Sequence, residues 1–150
     1  MSMRLAKGLA ITLFLYSALP WPGTAPLDPG TALAGGLPDD GVIVYQFHRR
    51  FRCEECYKLE KMITGILENH FPDPLRSGEL VFRVVNLEEE ENRHYETDYD
   101  FFYNTVIVVD RNNGRDARYR NIEEVWQLLE DERAVTDLVT STVRAYLQDR

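Results

Sequence analysis

The chain predicts an α/β fold, a three-layer α/β/α sandwich around a mixed four-stranded sheet with an added C-terminal helix. Three observations lead there. From residue 42 onward, short apolar β-branched runs alternate with segments whose apolar residues recur every three or four positions. The dipeptide Asn113-Gly114 stands between two strand-like runs, where it signals a tight hairpin. At 150 residues and 44% hydrophobic content, the chain is about one domain with enough apolar surface for an ordinary core.

The elements follow in order. Val42 to Phe47 reads as the first strand. Leu59, Met62, Ile63, Ile66 and Leu67 then mark a helix that ends near Phe71, because Pro72 and Pro74 forbid its continuation. The turn signal Ser77-Gly78 introduces a second strand, Leu80 to Val85. A shorter helix is expected over about 89–102, with Tyr95, Tyr99 and Phe102 on one face packing against the sheet. Thr105 to Asp110 is continuous and β-branched enough to be a central strand, and the hairpin joins it to a fourth near Arg115 to Tyr119. Two helices close the chain, the first capped by Asn121 with Glu124 three residues on. The second carries Val135, Leu138, Val139, Val143, Tyr146 and Leu147 on its apolar face. A crossover makes the first two strands parallel, while the hairpin makes the last pair antiparallel, so helices should cover both faces of a mixed sheet.

The amino terminus has a different character. Arg4 and Lys7 supply a positive start, and Gly8 to Leu19 form an apolar run of twelve residues, too short to span a bilayer unaided. Residues 1–34 therefore read as a signal peptide or an N-terminal membrane anchor, with the rest of the chain outside the cytoplasm, periplasmic or otherwise extracytoplasmic. Ala32-Leu33-Ala34 has the small-x-small form of a cleavage site but lies well beyond the apolar run. Between Pro20 and Gly41 stand five of the seven prolines and five of the nine glycines, a tether that gives way to the domain over 42–150. The formal charge is −8; loss of 1–34 removes Arg4, Lys7 and Asp28 and takes it to −9. A net acidic domain argues against a nucleic-acid footprint, since phosphate contacts need clustered Lys and Arg. A monomer is expected.

Cys53 and Cys56 are the only cysteines, and they stand where the first strand gives way to the first helix. A helix beginning near Cys53 would place that thiol among unpaired backbone N–H groups at a positive dipole end, which favours thiolate. Cys53 would then be the attacking sulfur. Cys56, one turn further in, would be the resolving partner, since i and i+3 share a helix face. Arg49, Arg50 and Arg52 favour the thiolate while Glu54 and Glu55 oppose it. With the dipole added, the balance predicts a Cys53 pKa modestly below the ordinary thiol value of about 8.5.

Other readings stand beside this one. A structural disulfide would close a loop too short to contribute much entropy. The two thiolates could instead hold a soft metal or metalloid ion, with His48 or His94 as a third ligand, and a non-catalytic adaptor would use neither sulfur. His70 sits where a cation suits a helix C-terminus. The acidic run Glu88 to Glu91 reads as the solvated first turn of a helix.

The element order, with C-x-x-C at the start of the first helix, resembles the thioredoxin fold over about 42–147. More narrowly, VIVYQFHRRFRCEEC, VVNLEEEEN and IEEVWQLLEDERAVTDLV followed by VRAYL are similar to small exported thioredoxin-like proteins named nitrophenyl compound nitroreductase subunit, ArsF-like. That name implies nitro reduction, yet no flavin-binding or nitro-reducing site stands in the sequence, and no cofactor is expected. The fold resemblance implies thiol-disulfide exchange with a partner protein through a mixed disulfide at Cys53.

Two departures from the thioredoxin family stand out. Its cis-proline before the third strand is replaced by Asn104, or by Thr105 if the register slips by one, and a trans peptide is expected there. Its buried acid on the first strand is replaced by Phe47, or by Gln46 if one residue is inserted. Slower dithiol exchange and a dedicated partner follow from the missing carboxylate.

Overall fold

The computed structural model describes residues 36–150; the targeting segment and most of the tether lie outside the described residues. Four strands form one sheet: β1 (Gly41–His48), β2 (Leu80–Asn86), β3 (Thr105–Asn112) and β4 (Arg115–Asn121). Their spatial order is β2-β1-β3-β4. β1 runs parallel to β2, with Val44 opposite Phe82, and antiparallel to β3, with Val44 opposite Val108; β3 and β4 are antiparallel. This is the thioredoxin-like α/β arrangement that the sequence resemblance implies. β1 and β3 hold the centre because their side chains are apolar on both faces and are buried almost without interruption.

The pleat sends alternate residues to two separate cores. Val42 and Val44 of β1, with Val106 and Val108 of β3, meet the helices α1 (Glu54–His70) and α4 (Glu132–Gln148). α1 contributes Leu59, Ile63, Ile66 and Leu67, and α4 contributes Val135, Val139, Val143 and Tyr146. On the opposite face Ile43, Tyr45, Phe47, Ile107 and Val109 pack with Leu87, Tyr99 and Phe101. There the cover is the short helix α3 (His94–Asp98) and the segments around it. The second helical layer is therefore much thinner than the first. Aromatic stacking does much of its packing, with Phe47 and Phe101 ring centroids 4.8 Å apart.

Local chemistry sets the boundaries. Asn113 and Gly114 both take positive φ, 51° and 73°, as a type I′ hairpin requires. The Asp131 side chain accepts the Ala134 N–H at 3.0 Å and so starts α4. Among the described residues no helix is long and apolar enough to cross a membrane.

Three expectations need correction. Pro72 and Pro74 end α1, but they also open a further helix, α2 (Pro72–Ser77), because proline is pre-shaped for a first helical turn; Gly78, at φ 80°, closes it. The helix expected over 89–102 is reduced to a 3₁₀ turn, Glu90–Asn92, and the five residues of α3. With helical spacing lost after Asp98, Phe101 turns inward and Phe102 is left 70% exposed. Asn121 caps nothing: it is the last residue of β4, and its side-chain oxygen accepts the Thr105 hydroxyl. Only a 3₁₀ turn, Glu123–Trp126, follows.

Ile63 is fully buried between α1 and the sheet. Ile63→Ala should therefore lower unfolding free energy by about 2–5 kcal/mol in a denaturant titration. A loss under about 0.5 kcal/mol, the range of surface substitutions, would mean that α1 does not pack as described.

Candidate redox site

The cysteine pair lies where β1 delivers the chain to α1. Cys53 is the N-cap residue, with extended backbone angles (φ −79°, ψ 169°), and Cys56 is in the first turn. One turn of helix brings the sulfurs 3.1 Å apart, Cys53 exposed to solvent and Cys56 buried, and both are thiols. Among the described residues this is the arrangement expected for an outer and an inner member of an exchanging pair.

Two amides hold the inner cysteine, one at its sulfur and one at its carbonyl. Asn104, just before β3, points its side-chain Nδ2–H at Cys56 Sγ, 3.6 Å away. Gln46 is completely buried on the α1 side of β1, and its Nε2 donates to the Cys56 carbonyl oxygen at 2.9 Å. Gln46 and not Phe47 is thus the β1 residue beneath the pair, because strand alternation sends Phe47 to the aromatic core on the other face. The Gln46 Oε1 has no hydrogen-bond partner among the described residues.

The Cys53 thiol is held above its ordinary value, contrary to the expectation from charge and dipole. Contact with the Cys56 sulfur comes first, since two sulfurs this close resist ionising together; partial cover and the Glu55 carboxylate add to it. The Cys56 N–H favours the thiolate, but it is already donated to the Cys53 carbonyl at 3.1 Å.

The three arginines explain why their help is missing: each is taken by a carboxylate. Arg49 donates to Glu96 at 2.6 Å and to the Phe102 carbonyl at 3.3 Å. Arg50 pairs with Glu88 at 3.5 Å. Arg52 donates to Glu60, reaches the Cys56 carbonyl at 3.4 Å and lies over the Tyr57 ring.

Cys53 and Cys56 open into a groove of about 460 Å³ that Arg49, Phe102, Tyr103, Asn104 and Trp126 complete. Phe51 (91% exposed), Phe102 (70%) and Tyr103 (81%) stand out around the cysteines in sequence or along the groove. The sequence signal for part of this rim was Phe101-Phe102-Tyr103, three consecutive aromatics that cannot all point into one core. Trp126 carried no such signal; the 3₁₀ turn after β4 brings it to the groove.

The histidines lie elsewhere. His48 lines a separate cleft with Asn86 and Tyr95, and His94 pairs with Asp98 at 2.7 Å. Among the described residues no group of three His, Cys, Asp or Glu side chains is arranged to hold a metal ion, so neither histidine completes a ligand set with the cysteines. The acidic run spans the end of the loop after β2 and the 3₁₀ turn, with Glu89 and Glu90 exposed.

No family model and no curated protein matches the chain. Solved structures similar to it include a mutant thioredoxin from Halobacterium salinarum NRC-1, 18% identical, with a TM-score of 0.41 over 70% of this chain and 77% of that one. The oxidised thioredoxin of Plasmodium falciparum is 13% identical, with a TM-score of 0.44 over 69% and 83% of the two chains. The thioredoxin of Fasciola hepatica is 15% identical, with a TM-score of 0.42 over 69% and 82%. These matches give no support to the narrower resemblance to ArsF-like proteins.

Because the Cys53 thiol is held upward, its thiolate fraction should be small at neutral pH and should grow as pH rises through the elevated value. Alkylation of Cys53 by iodoacetamide, followed by peptide mass spectrometry, should show a midpoint above about 8.5. Cys56→Ser and Glu55→Gln should each move the midpoint down, since each removes a group that favours the protonated sulfur. A wild-type midpoint below about 8.5 would contradict this account.

Proposed function

We propose that this protein exchanges the Cys53–Cys56 dithiol or disulfide with a partner protein through a mixed disulfide at Cys53. The observation that carries the reading is the asymmetry of the pair, an exposed sulfur 3.1 Å from a buried one at a helix start. An outside sulfur can reach only Cys53, and within this chain Cys56 is the thiol close enough to release it again. The exposed aromatic rim suits an unfolded or extended polypeptide better than a small solute, because such side chains contribute contact area to apolar neighbours of a partner cysteine.

The chemistry balances without a cofactor. A partner thiolate attacks Cys53 Sγ of the disulfide; the Cys53–Cys56 bond breaks and its electron pair passes to Cys56 Sγ. A second partner thiolate then attacks the partner sulfur of the mixed disulfide and releases Cys53. One disulfide has formed in the partner and one dithiol here. The reverse sequence reduces a partner disulfide.

Cys56→Ser removes the thiol that resolves the mixed disulfide formed when Cys53 attacks a partner disulfide, so that adduct should accumulate in cells and disappear on adding reductant or on further replacing Cys53. Absence of any Cys53-dependent adduct would remove the reducing direction, and a wild-type pair that cannot be reoxidised would remove exchange altogether.

We further propose that the domain works outside the cytoplasm, on the strength of the positive start, the apolar run over 8–19 and the Pro/Gly-rich tether. Membrane-impermeant maleimide added to intact cells should label Cys53 of the full chain. Labelling only after lysis would overturn this placement.

A further inference from the structure

The structure places donors around Cys56, one at its sulfur and two at its carbonyl. Asn104 offers an amide N–H to Cys56 Sγ at 3.6 Å from the position just before β3. The Arg52 guanidinium reaches the Cys56 carbonyl at 3.4 Å, its charge shared with Glu60. Gln46, the β1 residue beneath the pair, is an amide and cannot remove a proton from Cys56 as a carboxylate could. The groove side is thus built to hold a developing negative charge on Cys56 and not to deprotonate a neutral thiol. The outer sulfur is exposed, and the arginines near it in sequence are paired with carboxylates, so it is better placed to be attacked than to attack.

From this juxtaposition we infer that Asn104 is a positioning residue that stabilises Cys56 as the leaving thiolate when an outside thiolate attacks Cys53, so that the pair serves mainly as an electron acceptor from dithiol proteins. The inference rests on the exchange reading and adds to it a direction and a residue. When the Cys53–Cys56 bond breaks, its electron pair moves to Cys56 Sγ, to which the Asn104 Nδ2–H already points. Donor geometry set in advance costs no rearrangement at that moment. A lower-pKa thiol leaves faster. The missing proline therefore has a chemical consequence, because Asn104 carries a side-chain donor that proline lacks.

Two measurements test this together. With both cysteines present, reduction of the disulfide by dithiothreitol should slow about threefold in Asn104→Ala. Asn104→Asp, of nearly the same shape, should slow it further, because a carboxylate repels the departing thiolate; it also carries the test should Asn104→Ala fail to fold. Equilibration with glutathione should favour the disulfide about threefold more in both variants than in the wild type. A pair that cycles normally while both Asn104 variants leave the rate and the equilibrium unchanged would overturn the role of Asn104 and leave exchange standing. A wild-type pair that does not cycle would defeat exchange, and the leaving-group role with it.

Discussion

The site depends on where α1 begins. With Cys53 as N-cap and Cys56 in the first turn, a single helical turn separates an exposed sulfur from a buried one and still leaves them 3.1 Å apart. That start is enforced from two sides. β1 lies at the centre of the sheet and ends at His48, so the chain must leave the sheet there. The apolar stripe of Leu59, Ile63, Ile66 and Leu67 fixes the rotation of α1 on the sheet, and Cys56 lies three residues before Leu59 on the same buried side. Moving the cysteines by one residue against that stripe would rotate both sulfurs about the helix axis by about 100°, exposing Cys56 or withdrawing Cys53.

Electrostatics around the pair are decided by competition, not by charge count. Three arginines stand within four residues of Cys53, yet each is paired with a carboxylate. The acidic composition supplies those partners: Glu60, Glu88 and Glu96 come from three different parts of the chain. What remains near the outer sulfur is Glu55 and the second sulfur, and both favour the protonated form. The inner sulfur meets neutral amides from Asn104 and, through its backbone, Gln46. The pair is therefore polarised by fold contacts that sequence distance does not reveal.

Much of the fold was legible because its signals are long or steric. α1 and α4 each hold an apolar period over four turns, β1 and β3 are unbroken apolar runs, and Asn113-Gly114 can adopt the two positive φ values its turn needs. The thin layer over the second face was legible only in part. Tyr95 and Tyr99, one turn apart, pack against the sheet as expected, but Leu87 and Phe101 come from a turn and a loop, so no single period runs through all four. Asn121 had a capping sequence around it, but the Thr105 hydroxyl on the neighbouring strand took its side chain. At the site, the two cysteines and the Asn104 position were visible in the sequence. Gln46 against Phe47 was a question of strand phase, which one residue of register decides. Trp126 reaches the groove only because the chain after β4 turns back as a 3₁₀ element.

The central claim is that Cys53 and Cys56 interconvert between dithiol and disulfide inside an otherwise unchanged fold. Equilibrating the purified protein with graded mixtures of reduced and oxidised glutathione, and following Trp126 beside the pair by fluorescence with alkylation as a check, tests it directly. The account predicts one reversible two-electron transition, lost when either cysteine is replaced, at a potential nearer −120 mV than −270 mV as expected of an electron acceptor. A protein that stays fully reduced across the whole range, or that oxidises only as it unfolds, would contradict it.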